Sequence, residues 1–180
     1  MDTITFIRQC FGQMYQRMAE TIQGLTEEQL LWRPALQANC IAEIAFHTIY
    51  GWDRLFNTSA GLGQEIWISQ QWYKRFGYPS EFASTNWIPI LREYKLPTPR
   101  VGDLLAYMEA IYKDSLDKLN KLSPTDLDRT AGPKNMHLPV GFHLRHIITS
   151  TNNHHGQIDY IRGLIDPSWD LKPGTGIIQS

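Results

Sequence analysis

The chain has 180 residues and a mass of 20.8 kDa, the size of one domain, so residues 1–180 are read as a single unit. Its 17 Lys+Arg stand against 18 Asp+Glu, a net charge of −1, which argues against nucleic acid as a partner, because gripping a phosphate backbone takes a concentrated basic surface. A 42% hydrophobic content excludes a disordered chain, and no apolar run approaches the about 20 residues that a bilayer span needs.

The first segment, from about Thr3 to Gln23, places Ile4, Ile7, Phe11, Met14, Met18 and Ile22 at alternating steps of three and four. That spacing predicts an amphipathic helix with one buried stripe. Gly24 is its expected stop. Thr26-Glu27-Glu28-Gln29 has capping-box spacing and predicts a short turn of helix, closed by Pro34. A second long helix is expected to start after Asn39, a good cap residue, and to run to about Asn57, with Cys40, Ile44, His47, Gly51 and Leu55 along one face. The stretch from Thr58 to Arg100 is too long for a plain hairpin loop. It carries Trp67, Trp72, Tyr73, Phe76, Tyr78, Phe82 and Trp87. We expect a partly ordered crossover with a short helix near Ser69–Phe76, its aromatic side chains covering one end of the bundle. A third long helix follows Pro97-Thr98-Pro99, with Thr98 as cap and Pro99 in the first turn. Its expected stripe is Leu105, Met108, Tyr112, Leu116 and Leu119. Ser123-Pro124-Thr125-Asp126 predicts another short turn. The fourth helix begins near Leu138-Pro139 and runs to about Ile165, with Leu144, Ile147, Thr151, His154, Ile158, Ile161 and Ile165 inward. An irregular tail is expected from Asp166. Four long helices without strand alternation predict an all-α four-helix bundle with a long crossover between helices two and three.

The opening Met1-Asp2-Thr3-Ile4 lacks a basic segment followed by an apolar one, so no secretion signal is expected. Two cysteines, Cys10 and Cys40, make no disulfide framework, and a cytoplasmic location follows. Both read as buried thiols rather than nucleophiles. Asn57-Thr58-Ser59 matches a glycosylation sequon, which is idle without export.

Four of the six histidines, His143, His146, His154 and His155, fall in one short stretch. His146, Ser150 and His154 are spaced by four, so each step rises about 6 Å and turns only about 40°. His154 lies in the apolar stripe of the last helix and His47 in that of the second. Imidazoles from facing helices are a way to build a metal site inside a bundle, and residue type alone does not choose among Zn²⁺, Ni²⁺ and Fe²⁺. His137 and His143 read as histidines satisfied by a carbonyl or a tyrosine. His155, turned about 100° from His154, flanks the site or caps a carbonyl. There is no glycine-rich phosphate loop, no G-x-S-x-G elbow, no Cys-x-x-Cys pair and no Glu-x-x-His signature of a di-iron bundle.

At these residues the chain resembles the DinB superfamily, including its YfiT-like metalloenzymes. Leu25-Thr-Glu-Glu-Gln-Leu-Leu-Trp-Arg-Pro34 resembles the family's link between helices one and two. Ile41-Ala-Glu-Ile-Ala-Phe-His47 is similar to its second-helix motif, Leu122-Ser-Pro-Thr-Asp-Leu-Asp128 to its approach to helix four, and His154-His155-Gly156-Gln157-Ile158 to its H-x-G-Q-like stretch. The resemblance implies a bundle with a three-ligand divalent metal site, Zn or Ni, a small-molecule substrate such as a low-molecular-weight thiol, and a homodimer. Carried over by position, His47 and His154 match two ligands. The middle position falls on Ser150, and a serine hydroxyl is a poor ligand for a transition metal at neutral pH. His146 stands about 12 Å along the axis from His154, far for joint ligation. Ser150, His146, Thr151 and His155 are the expected pocket-lining residues.

Three functions stay open on the sequence. One is a metal-dependent thiol transferase or hydrolase, in which a coordinated thiol or water loses its proton at the point of reaction. A second is a catalytically inactive binding protein with a degenerate site, its pocket formed by His47, Ser150, Asn153 and His154. The third is a stress-linked structural protein whose histidines hydrogen-bond internally.

Overall fold

The computed structural model describes residues 1–81, 95–134 and 137–169. The expected positions of Phe82 and Trp87, and most of the tail after Asp166, lie outside them.

Helix α1 spans Thr3–Ile22, capped by the Asp2 carboxylate on the Thr5 amide. Gly24 ends it with φ +78°, a left-handed turn that suits glycine. The predicted capping box forms: the Thr26 hydroxyl accepts from the Gln29 amide and the Gln29 side chain accepts from the Thr26 amide, opening α2 (Glu27–Leu31). Helix α3 covers Ile41–Arg54 and continues as a π-helical turn over Leu55–Ser59. Its cap is Cys40, not Asn39. The reason is Glu43, whose carboxylate accepts from the Cys40 amide at 3.0 Å while Arg33 grips it in a two-pronged ion pair. That pair, Glu43 buried and Arg33 half-buried, ties the α2–α3 link to the start of α3.

Two short helices, α4 (Ile66–Ser69) and α5 (Trp72–Phe76), lie in the crossover. Trp67, Phe76 and Tyr78 are buried in an aromatic cluster with Phe46, Tyr50 and Tyr107, so they close one end of the core. Asp53, fully buried, anchors this crossover. Its carboxylate accepts from the Ile66 and Trp67 amides at the start of α4, from Asn57 Nδ2 and from the Tyr107 hydroxyl. Burial raises the Asp53 carboxyl and these four donors oppose the rise.

Helix α6 (Val101–Leu119) starts after Arg100, two residues beyond the expected cap. Its buried side chains are Asp103, Leu104, Tyr107, Met108, Ile111, Ser115 and Leu119, so the inner stripe is rotated relative to the predicted one. Tyr107 turns the helix by reaching Asp53. Tyr112 is left on the flank, stacked on Tyr15 with ring centres 4.5 Å apart. A 3₁₀ turn over Pro124–Asp128 follows the expected Ser123 cap. Thr130–Ala131 and Leu138–Pro139 then pair antiparallel as two-residue strands β1 and β2, too short for alternation to show in the sequence. Helix α7 runs Val140–Ile165.

The four long helices form a bundle in which α1 and α3 each pack against both α6 and α7. Asp53 meets Tyr107 while Asn57, one turn on, meets Asp114 and Lys118. Helices α3 and α6 therefore run in the same direction, and the long crossover is what returns the chain for a parallel neighbour. Among the described residues no helix is long and apolar enough to cross a membrane.

Candidate metal centre

The seam between α3 and α7 brings His47 and His154 together. Their ring centres stand 4.9 Å apart with the planes perpendicular. Both side chains are half-buried. Ile44 on α3 and Ile147, Thr151 and Ile158 on α7 are buried, and packing of these two helices against each other fixes the approach.

The His47 ring makes no hydrogen bond among the described residues, and its Nδ1 is buried without a partner. A buried polar atom left so is costly, and a site of this kind calls for an explanation. Burial, with the neighbouring His154 as the lesser cause, pushes the His47 pKa down to about 4. At neutral pH the ring is uncharged and offers a lone pair. His154 Nδ1 lies 3.1 Å from Gln157 Oε1.

His155 points to the other neighbour of α7. Its Nε2 lies 2.9 Å from Thr21 Oγ1 and 3.3 Å from Asp159 Oδ2, and the Thr21 hydroxyl donates to Asp159 Oδ1 at 3.0 Å. Burial lowers the His155 pKa and the Asp159 carboxylate opposes that. One turn further on, Arg162 donates to the Glu20, Thr21 and Gln23 carbonyls at the end of α1. These contacts pin the rotation of α7 against α1 at the residue next to His154.

The remaining expected site residues take different positions. Ser150 is half-buried and Thr151 buried, each on α7 before His154. His146 is exposed, its ring parallel to that of Phe142 at 6.4 Å. Asn153 is exposed. His143 is fully buried and His137 lies at the surface near the Gly132 carbonyl. A cavity of about 500 Å³ opens elsewhere, lined by Tyr50, Arg54, Thr58 and Glu65 among others, and none of the expected site residues lines it.

Does this donor set suit a metal ion? Two imidazoles sharing one tetrahedral zinc at ordinary nitrogen–metal distances hold their ring centres about 5 Å apart, and the observed separation is 4.9 Å. The neutral His47 ring and its unpartnered nitrogen also fit. The third donor does not: among the described residues no group of three His, Cys, Asp or Glu side chains converges. The pair thus suits two coordination positions and leaves the others to ligands from solution.

The sequence matches the DinB superfamily profile over residues 11–158. The chain belongs to the DinB superfamily. No curated protein matches it. Among solved structures it is similar to a conserved protein of a locus from Enterococcus faecalis, with a TM-score of 0.77 and 19% identity over 92% of this chain and 98% of that one. That likeness shows the fold.

Gln157 was read only as part of the H-x-G-Q-like stretch, without a role, and Thr21 and Asp159 were not singled out in the sequence. Asp159, four residues after His155 on one helix, was readable as a helical pair. Thr21 was not, because only tertiary packing brings α1 to that spot.

Proposed function

We propose that this DinB-type bundle is a divalent-metal-dependent enzyme of the group-transfer or hydrolytic class, with His47 and His154 as its protein ligands. The observation that carries the reading is the perpendicular approach of these two rings, with a buried His47 nitrogen that has no hydrogen-bond partner among the described residues. Zn²⁺ or Ni²⁺ bound there would supply Lewis acidity and lower the pKa of a coordinated thiol or water. The chain's own residues would hold the ion by two imidazoles and leave positions open for a small substrate. A low-molecular-weight thiol suits those positions, since a thiolate is a strong ligand for either metal. The reading includes a cytoplasmic protein and a homodimer. The exposed apolar side chains Phe6 on α1 and Phe142, Tyr160 and Leu164 on α7 support pairing through those helices.

The test is elemental analysis and zinc or nickel titration of protein purified without a polyhistidine tag. One site per chain is expected, lost in both His47→Ala and His154→Ala and kept in His146→Ala. Equal metal binding in the wild type and His154→Ala would overturn the reading.

A second reading is favoured by one observation, the serine at position 150 with no third donor converging among the described residues. In it the metal site is degenerate, and the pair with Ser150 binds a small molecule without chemistry. Protein that binds neither metal, and whose melting temperature zinc, nickel and chelator all leave unmoved, would favour this reading over the first.

A further inference from the structure

A neutral imidazole carries one proton, on Nδ1 or on Nε2, and only the bare nitrogen can bind a metal or take up a proton. Which nitrogen is bare is set by the partner of the other. A free histidine side chain in water prefers the proton on Nε2, which would block that nitrogen. His154 has a partner that reverses this preference. One turn further along α7, Gln157 places its amide oxygen 3.1 Å from His154 Nδ1. A carbonyl oxygen only accepts, so Nδ1 must donate.

We propose that Gln157 is a positioning residue that holds the His154 proton on Nδ1 and leaves Nε2 bare beside His47. The inference rests on the proposed site for its purpose, but the proton's position is a property of the metal-free chain. The geometry around it is fixed. His155, the next residue, is tied to Thr21 on α1 and to Asp159 on its own helix, so the backbone carrying both His154 and Gln157 cannot turn. The two partners share one helix at i, i+3, neighbours on the same face. Gln157 is exposed and its hydrogen bond competes with water. Its expected effect on the tautomer ratio is therefore moderate, about fivefold, as a hydrogen bond of ordinary net strength gives.

Long-range ¹H–¹⁵N correlation spectra of the ¹⁵N-labelled, metal-free full chain at pH 8 read the tautomer of each histidine directly, with His154 assigned by its loss in His154→Gln. The wild type is expected to show His154 protonated on Nδ1. In Gln157→Ala and Gln157→Leu the ratio shifts about fivefold toward Nε2–H, with the melting temperature unchanged because the side chain is exposed. Gln157→Glu, which keeps an acceptor at that reach, restores the Nδ1–H form. A merely structural glutamine would move none of these spectra. An Nε2–H signal in the wild type, or the same ratio in wild type and Gln157→Ala, overturns the assignment. Zinc titration of the same samples separates the two claims. A shifted tautomer with no zinc binding by any variant supports the role of Gln157 and overturns the metal reading alone. A shifted tautomer with zinc bound about fivefold more weakly by Gln157→Ala supports both.

Discussion

His47 offers a test of the site that needs neither substrate nor metal. Its pKa stands at about 4 in the folded chain, mainly through burial, against about 6.5 for an ordinary histidine. Between those values the unfolded chain carries a proton on this residue and the folded chain does not. Stability therefore falls as pH drops through the window; the loss owed to this ring reaches its full extent below about pH 4 and is absent above about pH 7. Each unit is about 1.4 kcal/mol, so acidification from pH 6.5 to 5 costs about 2 kcal/mol through this ring. For a chain of this length that is a fall of about 4–8 °C in melting temperature. Urea unfolding of metal-free wild type and His47→Gln at pH 7, 6 and 5 isolates the contribution. His155, also lowered by burial, acts in the same direction but is present in both proteins. The wild type should lose about 2 kcal/mol more than the variant. Parallel pH profiles for the two proteins would refute the claim that His47 is held neutral in a desolvated seam.

Three further outcomes follow from the same geometry. Ser150→His, one turn before His154, supplies the missing imidazole and should raise zinc affinity by more than the about tenfold that even an outer partner contributes; competition titration against a chromogenic chelator reads it, and unchanged affinity would mean that position 150 does not face the pair. Tyr107→Phe removes one of four donors from the buried Asp53 carboxylate and should cost about 1–3 kcal/mol in chemical denaturation, whereas a neutral result would show that Asp53 does not depend on this contact. Arg33→Met leaves Glu43 buried without its cation and should cost about 3 kcal/mol or more at pH 7, with much of the loss recovered in Arg33→Met/Glu43→Gln; additive losses in that pair would refute the coupling.

Periodicity alone located the four long helices, because each buries a stripe whose spacing survives any detail of packing. The capping boxes at Thr26 and Ser123 were equally local and equally readable. Errors arose where a distant residue intervened. Glu43 and Arg33 moved the start of α3 from Asn39 to Cys40. Tyr107, drawn to Asp53 across the bundle, rotated the buried stripe of α6. Asp53 itself sat unremarked in the second helix, since one acidic residue on an apolar face says nothing until its four donors arrive from elsewhere in the chain. The same division holds at the site. That His47 and His154 share a seam follows from two apolar stripes. That His155 turns away to α1 follows from its 100° offset, but its partner Thr21 could not be named without the tertiary fold.

What holds the two imidazoles together has a consequence for any metal they take. The two helices that carry the rings are held by their apolar packing and by the Thr21–His155–Asp159 contacts, none of which has a metal among its partners. A metal held at the proposed site would therefore not be a folding nucleus, unlike in the small domains that unfold when it is removed. It would add stability by mass action, about 2.7 kcal/mol at a hundredfold excess over the dissociation constant, and chelation would return it with the fold intact. Such a site, with two protein donors among the described residues, would exchange its remaining ligands readily. That is the property a group-transfer or hydrolytic centre needs, and a structural zinc site, closed by four donors, excludes it. A melting temperature that rises with zinc concentration in the wild type but not in His154→Ala, with a far-ultraviolet spectrum unchanged by chelator, is the signature expected of such a centre.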